Sequence, residues 1–152
     1  MSTHAVGIDL IEIERVQHVL DRHPERFIRR VFTPAEAAYC RGRTSELAAR
    51  FAAKEAVMKA LGTGARSVAW RDIEVLPDRR GKPLVYLYGG AKRRADHIGL
   101  EAIDISLTHL EMFAMATVVC TATRPEFDHA EARARIVAFL QQRGLLGEDE
   151  QN

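Results

Sequence analysis

Cysteine is scarce in this chain. Cys40 and Cys120 are the only two in 152 residues, too few and too far apart for a disulfide framework or a zinc site. Each reads as a small buried hydrophobe. No window approaches the roughly 18 consecutive apolar residues of a membrane-spanning helix. The opening Met1-Ser2-Thr3-His4 lacks the basic segment and apolar run of a secretory signal. The expectation is a soluble, cytoplasmic protein with no membrane attachment. An excess of charge is missing too: 22 basic against 21 acidic residues leave +1. That argues against a protein dedicated to coating DNA or RNA, so no nucleic acid is expected as a partner. Lysine is rare, 4 against 18 arginines, an imbalance read as codon usage. The sequence holds no internal repeat, low-complexity segment or long linker. It holds no nucleophile elbow, Walker loop or dinucleotide fingerprint.

What is present describes an ordinary globular domain. The apolar share is 47 % and the charged share 28 %, and a chain of this length buries roughly 68–70 % of its unfolded surface without needing a metal or disulfide. Residues 4–9 read as a short strand ending in Asp9, followed by a helix. On that helix Leu10, Ile13, Gln17 and Leu20 share one side, with Ile11, Val16 and Val19 widening the apolar face. Pro24 opens a second short helix. Thr33-Pro34-Ala35-Glu36 is a capping-box start, ended by Gly42. A longer helix runs from about Ser45 to Leu61 and stops at Gly62-Thr63-Gly64. The period then changes: strands over 72–76 and 83–88, a short helix over 90–98, and a hairpin of 103–109 and 112–121. Asp128-His129-Ala130-Glu131 opens a last helix to about Gln142, stopped by Gly144. Helices followed by strands define an α+β fold, an antiparallel sheet packed against a long helix. The one plausible boundary is Thr123-Arg124-Pro125-Glu126, giving a domain over 1–123 and a helical extension over 124–152.

The residues with chemistry in them begin on the long helix. At about 100° per residue, Leu47, Phe51, Glu55 and Met58 lie on one face, so Glu55 sits within an apolar stripe. A buried carboxylate must be neutral, paired or bound to a metal. Lys59, one turn on, offers an i, i+4 partner. Asp9 is either a helix cap or a strand-end ligand. Two carboxylates with no cysteine or close histidine pair suit a hard ion such as Mg²⁺. Gly62-Thr63-Gly64 is a helix stop or a phosphate approach. His109 ends a strand in which Ser106 and Thr108 face the other way, and is either structural or reaches a cleft. Between Arg15 and Arg50, eight arginines face four acids, a local net of +4. Arg15, Arg22, Arg26 and Arg29 recur at spacings that could form one stripe suited to an acidic protein.

Four segments together resemble a known family. They are Gly7-Ile8-Asp9-Leu10-Ile11-Glu12-Ile13-Glu14-Arg15, then Phe51-Ala52-Ala53-Lys54-Glu55-Ala56-Val57-Met58-Lys59-Ala60-Leu61-Gly62-Thr63-Gly64, then Gly81-Lys82-Pro83, and Ile105-Ser106-Leu107-Thr108-His109. In order and spacing they are similar to holo-acyl-carrier-protein synthase, the short bacterial type of phosphopantetheinyl transferase. The resemblance covers about residues 4–122; the chain after Arg124 exceeds the family's usual length.

The resemblance implies that the phosphopantetheine arm of coenzyme A passes to a serine of an apo-acyl carrier protein, leaving adenosine 3′,5′-bisphosphate. The carrier would serve fatty-acid or polyketide synthesis. Asp9 and Glu55 would hold Mg²⁺. Glu55, directly or through a water on the ion, would take the serine proton, and Lys59 would offset charge on the phosphates. Arg50, Lys59, Gly62, Lys82, Pro83, Ser106 and His109 would line the coenzyme A site. Arg15 and Arg22 would meet the carrier's acidic helix. The family's homotrimer, with active sites at subunit interfaces, implies an apolar sheet surface left exposed in one chain. A Mg²⁺-dependent phosphohydrolase of coenzyme A-like substrates, or a non-catalytic carrier-binding module, are the alternative readings. The extension from Asp128 to Gln142, with Ile136, Val137 and Leu140, is expected to pack on its own subunit or a neighbour without being needed for catalysis.

Overall fold

The computed structural model describes residues 2–123 and 129–147. Its elements run β1 (Thr3–Glu12), α1 (Ile13–Arg22), α2 (Pro24–Val31), α3 (Pro34–Cys40), α4 (Thr44–Leu61), β2 (Ile73–Pro77), β3 (Pro83–Leu87), α5 (Gly89–His97), β4 (Leu100–His109), β5 (Phe113–Ala122) and α6 (His129–Gln142). β5 is the middle strand of an antiparallel sheet ordered β1-β5-β4, and β2 and β3 form a separate hairpin. The fold is α+β, as the sequence implies.

Strand parity decides what points where. Gly7 pairs with Val118 and Asp9 with Ala116, while Val118 pairs with Ile105 and Ala116 with Leu107. These residues, with Cys120, face α4. The opposite face carries Val6, Ile8, Leu10, Val119 and Ser106, and among the described residues no layer covers it. Helix α4 runs along the covered face. Its alanines at 48, 49, 52, 53, 56 and 60 are buried, and their small side chains let the helix lie close to the strands. One apolar cluster joins this helix to Ile73, Val75, Val118 and Cys120; a second joins its N-terminal half to Val16, Val31, Phe32 and Cys40. Both cysteines are buried and neither is in a disulfide, and burial lifts the Cys40 thiol to about 11.

Local signals match their expected roles at several ends. Thr33 and Glu36 form the reciprocal capping box of α3. That helix closes on a left-handed Arg41, one residue before Gly42. α4 closes on Gly62 (φ 68°), whose amide donates to the Lys59 carbonyl, while Thr63 N–H donates to Met58 O at 3.1 Å.

Two expectations are corrected, and a third keeps one of its two alternatives. The first strand does not end at Asp9. Pairing with β5 carries it on to Glu12 opposite Phe113, so α1 starts at Ile13 and Leu10 lies on the open sheet face. The stripe of Leu47, Phe51, Glu55 and Met58 does not exist as drawn. α4 is buried nearly all round, and the line Phe51, Glu55, Lys59 is its accessible edge. Helix α6 buries none of its residues in this chain; the proposed cap Asp128 lies outside the described residues.

Candidate active site

Two elements build the acid cluster. β1 presents Asp9 toward α4. On α4, Glu55 and Lys59 occupy successive turns of the accessible edge. Strand and helix approach closely because residue 7 has no side chain: a Cβ there would meet the Ala56 carbonyl. The Lys59 ammonium donates to Asp9 Oδ1 at 2.9 Å and to the Ile8 carbonyl at 2.8 Å. The expected Lys59 partner was Glu55; the structure gives it Asp9 instead, across two elements.

Asp9, Glu55 and Arg15 line one cleft, whose apolar wall includes Val16, Phe27 and Phe51. Burial holds the Glu55 carboxyl above its ordinary acidity range. The nearby Asp9 charge pushes the same way, and Lys59 opposes both. Lys59 pairs with Asp9 and leaves the Glu55 carboxylate without a direct counter-charge. A hard divalent cation would supply one, with water and phosphate oxygens completing its shell. Among the described residues no group of three or more acids, histidines or cysteines stands close enough to ligate a metal alone.

Arg50 is buried on the other side of α4. Its guanidinium donates to Val75 O and Glu46 O, pairs with Glu46 Oε2 at 2.6 Å and lies 4.5 Å over the Tyr39 ring. With Pro83, Gly81 and His109 it lines a second cleft. Lys82 and Ser106 lie elsewhere again, in a shallow hollow on the open sheet face. Asp78 organises the turn before Lys82, its carboxylate accepting from the Arg80 and Lys82 amides. The Lys82 ammonium reaches Asp104 at 3.0 Å and holds that carboxyl below its usual range. Gly62 caps α4 beside Arg94, which donates to the Leu61 carbonyl at 2.9 Å.

The single chain therefore brings Asp9, Glu55, Lys59 and Arg15 together, and Arg50, Pro83 and His109 together. It does not join Lys82, Ser106 or Gly62 to either group. Arg15 and Arg22 are exposed on α1 as expected. The arginine stripe is not continuous, because the chain breaks at His23 between α1 and α2. Arg26, Arg29 and Arg30 gather instead with Arg71 and Glu25.

Sequence reasoning missed one supporting group. Lys54 and Glu36 are both fully buried, 2.8 Å apart. Lys54 also donates to the Trp70 and Ile73 carbonyls, and Glu36 accepts from the Thr33 and Val75 amides at 2.9 Å each. The pair ties α3, α4 and β2 into one unit beside Glu55. Trp70 in turn stacks on Phe51, ring centroids 4.5 Å apart. A lysine set among buried alanines was the available signal.

Comparison with known proteins places this architecture. The model of the 4′-phosphopantetheinyl transferase superfamily matches residues 5–123, and the chain belongs to that family. It is 46 % identical over 123 residues to a holo-[acyl-carrier-protein] synthase of Moorella thermoacetica, covering 79 % of this chain and 95 % of that protein. A synthase of the same name from Herpetosiphon aurantiacus is 48 % identical over 120 residues, covering 74 % and 94 %. Among solved structures, the Helicobacter pylori holo-[acyl-carrier-protein] synthase in complex with coenzyme A superposes with a TM-score of 0.70. It is 31 % identical and covers 76 % of this chain and 98 % of that one.

Proposed function

We propose that this protein transfers the phosphopantetheine arm of coenzyme A to a serine hydroxyl of an apo-acyl carrier protein, releasing adenosine 3′,5′-bisphosphate. The observation that carries the reading is the convergence of Asp9, Glu55 and Lys59 from two elements, in a chain that is 48 % identical over 120 residues to a holo-[acyl-carrier-protein] synthase. Asp9 and Glu55 would hold Mg²⁺, which would offset the charge of the diphosphate when bound. Glu55, directly or through a water on the ion, would take the serine proton; in metal-free protein, burial and Asp9 hold its carboxyl above the usual range. Lys59 would meet the phosphate oxygens. Arg50, Pro83 and His109, with Gly62, Lys82 and Ser106, would contact the rest of coenzyme A.

A single chain does not bring those last residues around one cavity. Asp9 faces α4, whereas Ser106 faces the open side of the sheet. On that open side Val6, Ile8 and Leu10 are 63 %, 53 % and 60 % exposed. A homotrimer that covers this face would supply Lys82 and Ser106 to a neighbour's acid cleft. Arg15 and Arg22 would receive the acidic helix of the carrier, with Arg15 nearest the reacting groups. The transferase domain would end at residue 123. Residues 124–152 would be an addition that catalysis does not need, so a chain ending after Arg124 should lose thermal stability or loosen its trimer yet keep measurable turnover. No described helix is long and apolar enough to cross a membrane, and the cytoplasm, where carrier protein and coenzyme A meet, is the proposed location.

Incubation with coenzyme A, Mg²⁺ and an apo carrier protein, followed by mass spectrometry, tests the reading. The carrier should gain one phosphopantetheine. Breakdown of coenzyme A without a mass gain would make the protein a hydrolase, and binding alone a carrier-binding module.

A further inference from the structure

Helix α4 carries two lysines with opposite fates. Lys54 is fully buried and held by the Glu36 carboxylate and two carbonyls. Lys59 leaves half of its side chain in solvent and has two acceptors, Asp9 Oδ1 and the Ile8 carbonyl. The first is fixed. The second is held by one carbonyl and by an ion pair whose ammonium is half exposed. Yet Lys59 binds an oxygen of the very carboxylate proposed to hold a divalent cation. Glu55, the other acid, feels Lys59 through space and remains destabilised as a carboxylate.

We infer that Lys59 is a place-holder: its ammonium and a divalent cation compete for Asp9, and cation binding releases the lysine. This rests on the reading of Asp9 and Glu55 as cation ligands. The charges make the exchange reasonable. A lone ammonium balances one of two carboxylates, whereas a divalent ion balances both and takes oxygen ligands that the ammonium cannot bridge. The side chain has solvent into which to move. Once released, the ammonium is free to meet the diphosphate of coenzyme A, so the same group serves the empty cleft and the filled one.

The test needs no turnover. Mn²⁺ alone, without coenzyme A, is titrated into the full-length wild type, Lys59→Met and Asp9→Asn, with free Mn²⁺ read by electron paramagnetic resonance. Lys59→Gln is carried as a second variant should Lys59→Met fold poorly. Loss of the competitor should tighten Mn²⁺ binding by up to about fivefold, the upper end for one partly exposed ion pair. In parallel, the Lys59 ammonium of the wild type is followed by nitrogen-15 NMR. Its signal should shift on addition of Mg²⁺ alone and should already be shifted in metal-free Asp9→Asn. Unchanged Mn²⁺ affinity in both Lys59 variants, with Asp9→Asn still weakening it, would overturn the competition and leave the cation site standing. Tighter binding with an unmoved ammonium would reduce Lys59 to a distant charge and also overturn the inference. Mn²⁺ affinity indifferent to Asp9→Asn would remove the cation site and the competition together.

Discussion

Gly7 on β1 lies against Ala56 on α4 so closely that a methyl group added at Gly7 would stand 1.8 Å from the Ala56 carbonyl oxygen. The obstacle is helix backbone, which has no rotamer by which to retreat. Two residues beyond Gly7 lies Asp9; three residues beyond Ala56 lies Lys59. The contact therefore sets the spacing of the ion pair. Gly7→Ala should force strand and helix apart and cost about 3 kcal/mol or more of stability. Urea denaturation measures the loss, and wild-type stability in this variant would contradict the close approach.

Lys54→Met should be severe for a different reason. It strands the fully buried Glu36 carboxylate without its counter-charge, and breaking such a pair costs about 3–5 kcal/mol. The shift in urea midpoint gives the answer. A loss below about 1 kcal/mol would place the pair among the weak ones.

How far this site was legible in the sequence depends on the range of each contact. Short-range chemistry was readable: the Thr33–Glu36 box, the Gly62 stop and the alternation that puts His109 opposite to Ser106. The sequence pattern puts Asp9 at a strand end, whereas pairing with β5 carries the strand on to Glu12. Lys59 was assigned to Glu55 one turn away, since nothing local announces a partner 50 residues off. Lys54 went unassigned for the same reason, its partner lying on another helix. The scatter of Arg50, Lys82 and Ser106 over separate surfaces is a property of the folded sheet, set by which face each strand residue takes.

The acidity of Glu55 has a measurable sign. In metal-free protein its carboxyl is held above the usual value, first by burial and then by Asp9. Such a group favours the fold below its unfolded pKa and loses that contribution as the pH rises through its folded one. Glu55→Gln cannot ionise. Thermal unfolding in a chelator should therefore show the variant gaining on the wild type as the pH goes from mildly acidic to neutral. A gap that moves in the wild type's favour would mean that Lys59 outweighs burial.

Arg22 separates docking from chemistry. It is exposed at the last turn of α1 and, unlike Arg15, does not line the acid cleft. Arg22→Glu should slow association with an acidic carrier protein and flatten its salt dependence, leaving coenzyme A binding unchanged. Stopped-flow association at two ionic strengths reads the first, and calorimetry the second. Equal losses for both substrates would deny α1 a separate docking role.

The most direct test of the catalytic assignment is the rate at which apo carrier protein gains phosphopantetheine with Glu55→Gln, at saturating Mg²⁺ and saturating coenzyme A. Glutamine keeps the shape of the side chain but removes the proposed base and one ligand charge. Turnover should fall by about 10²-fold or more, while the melting temperature in a chelator holds or rises. A variant that modifies the carrier at near the wild-type rate would contradict the role assigned to Glu55, and with it the reading of the Asp9–Glu55–Lys59 cluster as the catalytic centre.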